Sequence, residues 1–216
     1  MIRSARAPRS AIRGAAVSVL LLTLPAAAKA QTSSAAPAEP PQTAVFAGGC
    51  FWGIEAVFEH VMGVTEVVSG YAGGALKHPS YEVVSAGISG HAESVRVTYD
   101  PAQVSYAQLI EVFMNAHDPT ELNRQGPDVG TQYRSAIFWA TGYQEQVARK
   151  VLERLRGTEA FRKPIVTELK KLGEFWVAED YHQDYLIHHM DQPYIVYNDL
   201  PKLEELKRRF PQLYRE

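Results

Sequence analysis

A chain of 216 residues with one cysteine cannot staple itself with an internal disulfide, so a hydrophobic core alone must hold whatever it folds into. That cysteine, Cys50, stands where the hydrophobic periodicity changes. Thr43 to Ala47 is a short apolar run that reads as a buried strand; from Phe51 onward Ile54, Val57, Phe58, Val61 and Met62 fall on one helical face. Gly48 and Gly49 separate the two patterns and leave the sulfur open to close approach. A thiol at a helix N-terminus meets free amides and the helix dipole, an environment expected to favour the thiolate. The bland alternative is a small buried hydrophobe, the common fate of free cysteine.

The first thirty residues read as a secretory leader. Arg3, Arg6, Arg9 and Arg13 supply a positive n-region, Ala15 to Leu24 the apolar stretch, and Ala28-Lys29-Ala30 a small-residue cleavage site. The apolar stretch is too short to span a bilayer as a helix; an uncleaved anchor or an organelle transit peptide is the alternative. The leader implies export across an inner membrane to a periplasmic location, with no membrane attachment after cleavage. Gln31 to Gln42, rich in Ala, Pro, Ser and Thr, reads as a flexible linker, which leaves one catalytic domain over 43–216. The chain has 22 basic and 24 acidic residues, and the leader holds five of the basic ones and no acidic ones, so its removal leaves a net charge of about −7. With no basic stripe, nucleic acid is not an expected partner. In an oxidising compartment a free thiol is a liability, and its presence suggests a use. Ala47-Gly48-Gly49-Cys50 loosely matches a lipidation site, but it lies far beyond the apolar stretch and inside folded-looking sequence.

Beyond the Cys50 helix, Gly63 is placed to terminate it and Val64 to Ser69 follows as a strand. A Gly/Ser/Pro-rich excursion over 70–90 is long enough to be a functional loop. His91 to Tyr99 is another strand, and Ser105-x-x-Gln108 opens a second helix with a capping box. A polar loop over 117–132 leads to a strand at Tyr133 to Ala140; Thr141-x-x-Gln144 opens a further helix, and Ile165 to Leu169 is a possible strand. The order β-α-β-β-α-β is the split β-α-β, or ferredoxin-like, pattern of an α+β fold. Additional C-terminal helices are expected near 180–188 and 201–210.

Within the strand from His91, alternation puts Glu93 on the same face as Val95, Val97 and Tyr99. A carboxyl group on an apolar face resists ionisation, and one kept protonated near neutrality can act as a general acid. The alternative is a strand-end carboxylate that turns to solvent or pairs with His91. Tyr81 and Tyr133 sit at loop-to-element boundaries, where a phenol can donate to a reacting oxygen or simply pack half-buried. Asp128, in Gly126-Pro127-Asp128-Val129-Gly130, suits a turn. Adjacent helical residues cannot both face one core, so at least one of Phe51 and Trp52 flanks the thiol as an apolar wall. His182, His188 and His189 lack metal-site spacing and read as solvated surface histidines; no metal is expected.

Gly49-Cys50-Phe51-Trp52-Gly53 resembles the active-site motif of the peptide methionine sulfoxide reductase A family. Gly70-Tyr71-Ala72-Gly73-Gly74, Pro79-Ser80-Tyr81, Gly90-His91-Ala92-Glu93, Tyr99-Asp100-Pro101, Asn115-x-His117-Asp118-Pro119, Gly130-Thr131-Gln132-Tyr133-Arg134-Ser135 and Ala178-Glu179-Asp180-Tyr181-His182-Gln183 resemble family blocks in family order. The resemblance implies reduction of the S epimer of methionine sulfoxide, free or in peptides, without metal or organic cofactor. It implies Cys50 as nucleophile, Glu93 as proton donor, Tyr81 and Tyr133 as donors to the sulfoxide oxygen, and Asp128 in the same polar site. Phe51 and Trp52 would hold the S-methyl group. Many family members resolve the resulting sulfenic acid with a second cysteine, and these 216 residues contain none. Regeneration is therefore expected from a thioredoxin-like or glutaredoxin-like protein or a small thiol, acting on a monomer. A thiol peroxidase, a cysteine hydrolase using His91 as base, and a binding module with an idle cysteine are the rival readings.

Overall fold

The computed structural model describes residues 40–216. The leader at 1–30 and nearly all of the linker at 31–42 lie outside them. The chain runs β1 (Gln42–Gly48), α1 (Phe51–Glu59), β2 (Val64–Ala72), α2 (Tyr81–Ser85), β3 (Ala92–Tyr99) and α3 (Tyr106–Ala116). A small hairpin, β4 (Arg124–Gln125) and β5 (Asp128–Val129), precedes β6 (Ser135–Trp139), α4 (Gly142–Arg156), β7 (Glu168–Lys171) and β8 (Phe175–Val177). Two short helices, α5 (Tyr185–His188) and α6 (Leu200–Arg209), complete it.

The sheet has the strand order β7-β6-β1-β3-β2-β8. Its middle four strands, β6-β1-β3-β2, are antiparallel neighbours and give the ferredoxin-like core that the alternation of elements predicts. The outer strands extend it, β8 antiparallel to β2 and β7 parallel to β6. Alternation on β1 sorts the two faces. Ala44 and Phe46 join the helix-side core with Val95, Val97, Tyr99 and residues of α1 and α3, whereas Val45 and Ala47 join Ala72, Ala92, Ala136 and Phe138 on the other face. Phe46 anchors the helix side, stacked between Phe58 of α1 at 5.2 Å and Phe113 of α3 at 5.0 Å.

Helix boundaries follow local chemistry. Ser105 and Gln108 form the expected capping box at α3. At α4 the Thr141 hydroxyl accepts from the Gln144 amide at 3.2 Å, while the Gln144 side chain accepts from the Ala140 N–H and donates to Thr43 O at 2.7 Å, tying the helix to β1. The excursion over 70–90 is shorter than its composition suggests, because β2 runs on to Ala72 and α2 lies within it. The strand expected from Tyr133 starts at Ser135, since Thr131–Tyr133 is a 3-10 turn. The helix expected over 180–188 is broken into a 3-10 turn (Asp180–His182) and α5. Between them the Gln183 side chain takes the place of a strand, accepting from Ser69 N–H at 2.9 Å and donating to Ser69 O and Ala178 O at 3.1 Å. That bonding draws the chain to β2 and ends the first turn.

The packed face of α1 carries Ile54, Val57 and Phe58 as predicted, but Met62 is exposed. Glu55, on the same helix, is only 1% exposed, and neither of its carboxyl oxygens has a partner among the described residues. Burial first, and then Asp184, pushes its pKa up to about 7; burial with Asp184 and Glu55 pushes Glu59 up to about 8. In the unfolded chain both return to ordinary values near 4.5. The folded state therefore binds more protons between those values, and these groups lower stability as pH rises through 7–8. Glu55→Gln keeps the shape and removes the charge. It is expected to raise Tm by roughly 3–6 °C at about pH 8.5 and to change it little at about pH 4.5. Thermal unfolding followed by circular dichroism measures this, and an equal change at both pH values would contradict it.

Candidate active site

Cys50 is the N-cap residue of α1, set at the end of β1 by a turn that only glycine makes easily. Gly49 has φ +93, and a Cβ there would lie 2.6 Å from Gln125 Cγ. Gln125 is itself fixed by the Asp118 backbone, accepting from its N–H and donating to its carbonyl, both at 3.0 Å. The turn is thus clamped by the hairpin loop, and Cys50 is left 7% exposed.

The thiol is not activated at rest. Burial pushes its pKa well above the ordinary value, and the Glu93 and Asp199 carboxylates push the same way; Lys202 and the Trp52 amide oppose them. The thiolate expected from the helix N-terminus is therefore corrected: desolvation and two nearby acids outweigh the amides of a nine-residue helix.

Glu93 lies where alternation along β3 puts it, in the core beside Val95, Val97 and Tyr99, and is 2% exposed. Its Oε2 accepts from the Phe51 N–H at 3.1 Å, which brings the carboxyl group to the residue next to the thiol. Burial, with Asp128 and Asp199 nearby, pushes its pKa up to about 8 against the pull of the Phe51 amide. It is a neutral acid near pH 7. His91 is not its partner: the His91 Nδ1 accepts from the Gly74 N–H at 3.2 Å and its Nε2 donates to Leu76 O at 2.8 Å. Both ring nitrogens belong to the loop, so His91 is not free to serve as the base a hydrolase would need.

Three phenols gather around this acid and thiol. Tyr81 opens α2, its amide donating to Glu179 Oε1 at 2.9 Å. Burial raises its pKa to about 12, with Glu93, Cys50 and Asp128 adding to the rise. Tyr133, in the 3-10 turn, is raised by burial and by Glu93 and Asp128. Tyr194 donates to Asp128 Oδ2 at 2.5 Å and is raised by burial and by the neighbouring Cys50. All three remain hydrogen-bond donors at neutral pH. Asp128 closes the Gly126-Pro127 turn of the β4–β5 hairpin opposite Gln125, as its sequence suits, and lies near both the phenols and Glu93.

The two residues after the thiol divide their tasks. Phe51 is buried against Tyr71 and His182. Trp52 is half-buried, stacked on Tyr185 at 3.8 Å and edge-on to Tyr194 at 5.9 Å, with its indole N–H donating to His182 Nδ1 at 3.2 Å. Trp52, Tyr185 and Tyr194 form one apolar corner close to the sulfur. His182 is not the surface residue expected; it is 2% exposed and packs on Tyr81 at 4.3 Å between centroids. Tyr185 and Tyr194 have no signature in the sequence, since each reads as one more aromatic in a C-terminal helical stretch.

Set beside known proteins, the chain matches the family model described as peptide methionine sulfoxide reductase over residues 42–213. It is 53% identical to the peptide methionine sulfoxide reductase MsrA 2 of Mesorhizobium japonicum over 176 residues, 81% of this chain and 90% of that protein. It is 49% identical to the protein of the same description from Synechocystis, covering 78% of this chain and 79% of that one. Among solved structures, methionine sulfoxide reductase A of Corynebacterium diphtheriae superposes with a TM-score of 0.67 at 40% identity, covering 70% of this chain and 77% of its own. A match that begins at the first residue of β1 and runs past α6 takes in every strand and helix that surrounds the buried thiol and its neutral acid, and on that ground the chain belongs to the peptide methionine sulfoxide reductase A family.

Proposed function

We propose that this peptide-methionine (S)-S-oxide reductase works through Cys50 as nucleophile and Glu93 as proton donor, and that a thiol from another molecule then restores Cys50. The observation that carries this reading is the hydrogen bond from the Phe51 amide to Glu93 Oε2, which holds a neutral carboxyl group beside the only thiol. Oxide is a poor leaving group, so sulfoxide sulfur becomes electrophilic only when its oxygen is protonated or strongly hydrogen-bonded. With Oε2 occupied by the amide, Oε1 of Glu93 carries the transferable proton. Tyr81 and Tyr133 donate to the same oxygen as charge develops on it, in a site that excludes water. The S-methyl group lies against Trp52, with Phe51 behind it, and Asp128 steadies the polar side through Tyr194.

The step balances without a cofactor. Glu93 gives its proton to the sulfoxide oxygen, Cys50 Sγ attacks the sulfoxide sulfur, and the thiol proton replaces the one that Glu93 lost. The hydroxyl then moves from the substrate sulfur to Sγ as the S–O bond and the new Sγ–S bond both break, so methionine leaves as the thioether and the cysteine is left as a sulfenic acid. An external thiol condenses with the sulfenic acid, releasing water and forming a mixed disulfide. A second thiol then frees Cys50. A thioredoxin-like or glutaredoxin-like protein or a small thiol meets this need, and the leader reading favours a periplasmic donor.

Cys50→Ser is expected to abolish the burst of about one methionine per enzyme from methionine S-sulfoxide in the absence of reductant. Peroxide consumption or ester cleavage by the wild-type protein in place of the burst would instead favour the rivals. The wild-type single-turnover rate should fall as pH rises through about 8, where Glu93 loses its proton. Glu93→Gln should be slower by about a hundredfold or more and should lack that fall; an unchanged pH profile would remove Glu93 from the role. Mass spectrometry after one turnover without reductant should find Cys50 as a sulfenic acid, and after addition of a small thiol as its mixed disulfide.

A further inference from the structure

The chain's C-terminal segment brings an ion pair to the Cys50 helix that the reaction scheme does not use. Asp199, the last residue of the turn Ile195–Asp199, is 0% exposed, and its Oδ1 accepts from Lys202 Nζ at 2.8 Å. Its Oδ2 has no partner among the described residues. Both side chains lie on the backbone of Gly53, in the first turn of α1: a Cβ at that position would clash with Asp199 Oδ1 and lie 2.6 Å from Lys202 Nζ. Gly53 is three residues from Cys50, so a buried negative charge and its counter-ion sit against the helix end that carries the thiol.

We propose that Asp199 and Lys202 are positioning residues for Cys50, and that their ion pair on Gly53 sets the pH at which the thiol becomes reactive. The inference rests on Cys50 being the reactive group. Lys202 is the cation that acts most on Cys50 among the described residues; around the same site stand Glu93 from β3, Asp128 from β5, Tyr81, Tyr133 and Tyr194, and Asp199 itself. The two members of the pair act on the thiol with opposite sign, the carboxylate holding its proton on and the ammonium drawing it off. With Asp199 fully buried and the Lys202 side chain 16% exposed, water screens the pair less than it would a surface pair. Holding the thiol protonated between turnovers suits an enzyme with one cysteine, since oxidation follows thiolate character.

The test reads the thiol directly, by the rate of iodoacetamide alkylation of the reduced, substrate-free protein between about pH 7 and 10. Asp199→Asn is expected to shift the profile to lower pH and speed alkylation at about pH 8.5 by about threefold or more. Lys202→Met is expected to shift it to higher pH and slow alkylation by a similar factor, and Lys202→Arg to restore the wild-type profile. Shifts of opposite sign support the proposal, because general loosening of the site would expose the thiol and move both variants the same way. Unchanged profiles, or shifts of one sign, overturn it. If Asp199→Asn does not fold, the Met and Arg variants decide alone: an unchanged profile in Lys202→Met overturns the proposal. The measurement uses no sulfoxide, so a failure here is separate from any failure of the proposed reaction.

Discussion

The hydrogen bond from the Phe51 amide to Glu93 Oε2 joins two features that would each be costly alone. A helix that starts in the core leaves amides needing acceptors, and a carboxyl group on the apolar face of a central strand needs a donor. Residues 42 positions apart satisfy each other at 3.1 Å, and the bond exists only because β1 and β3 pair antiparallel with Phe46 opposite Val95. That register brings the start of α1 to the level of Glu93. A slip of one residue would turn Glu93 to the opposite face, among Ala92, Ala47 and Ala136, and leave the thiol without an acid. The catalytic arrangement is in this sense a property of strand register before it is a property of side chains.

The thiol of Cys50 and the carboxyl group of Glu93 are both held neutral near pH 7, and this follows from the same burial. A thiolate and a carboxylate this close would repel, and neither has water to solvate it. The protein instead keeps a protonated acid and a protonated thiol, a pair that carries no charge into the core and holds the protons that reduction of a sulfoxide requires. The phenols of Tyr81, Tyr133 and Tyr194 extend the same solution, since they donate hydrogen bonds without bringing charge. Asp128 is accommodated at the rim because Tyr194 donates to it.

Much of this was legible in the sequence where a short-range rule applied. The change of period at Gly49 located α1, alternation along β3 buried Glu93, and Ser105 with Gln108 marked the start of α3. The order of elements was enough for the ferredoxin-like core, because each of its four strands is apolar and bounded by turn residues. What failed did so where distant contacts override local pattern. Gln183 looks like a helix residue and serves as a substitute strand; His182 looks like a surface histidine and is packed between Phe51, Trp52 and Tyr81. The protonated state of Cys50 differs from what its helix N-terminus predicts for the same reason. A helix N-terminus is visible in sequence, but the depth of burial and the carboxylates that share it are not.

The C-terminal segment shows how far that limit reaches. Tyr185, Tyr194, Asp199 and Lys202 lie 135 or more positions from Cys50 and carry no motif, yet they form the aromatic corner and the charged underside of its site. They arrive there because α5 packs on α1 through Leu186 and α6 through Leu203 and Leu206, ordinary apolar contacts. Gly53 is the residue that makes the contact close enough to matter: any side chain there would displace the Asp199 carboxylate from the helix. The small residue in the motif after the thiol therefore has a physical reason beyond backbone freedom. It lets a second segment reach the helix end on which Cys50 sits, so that the surroundings of the thiol are shared between the turn that presents it and the far end of the chain.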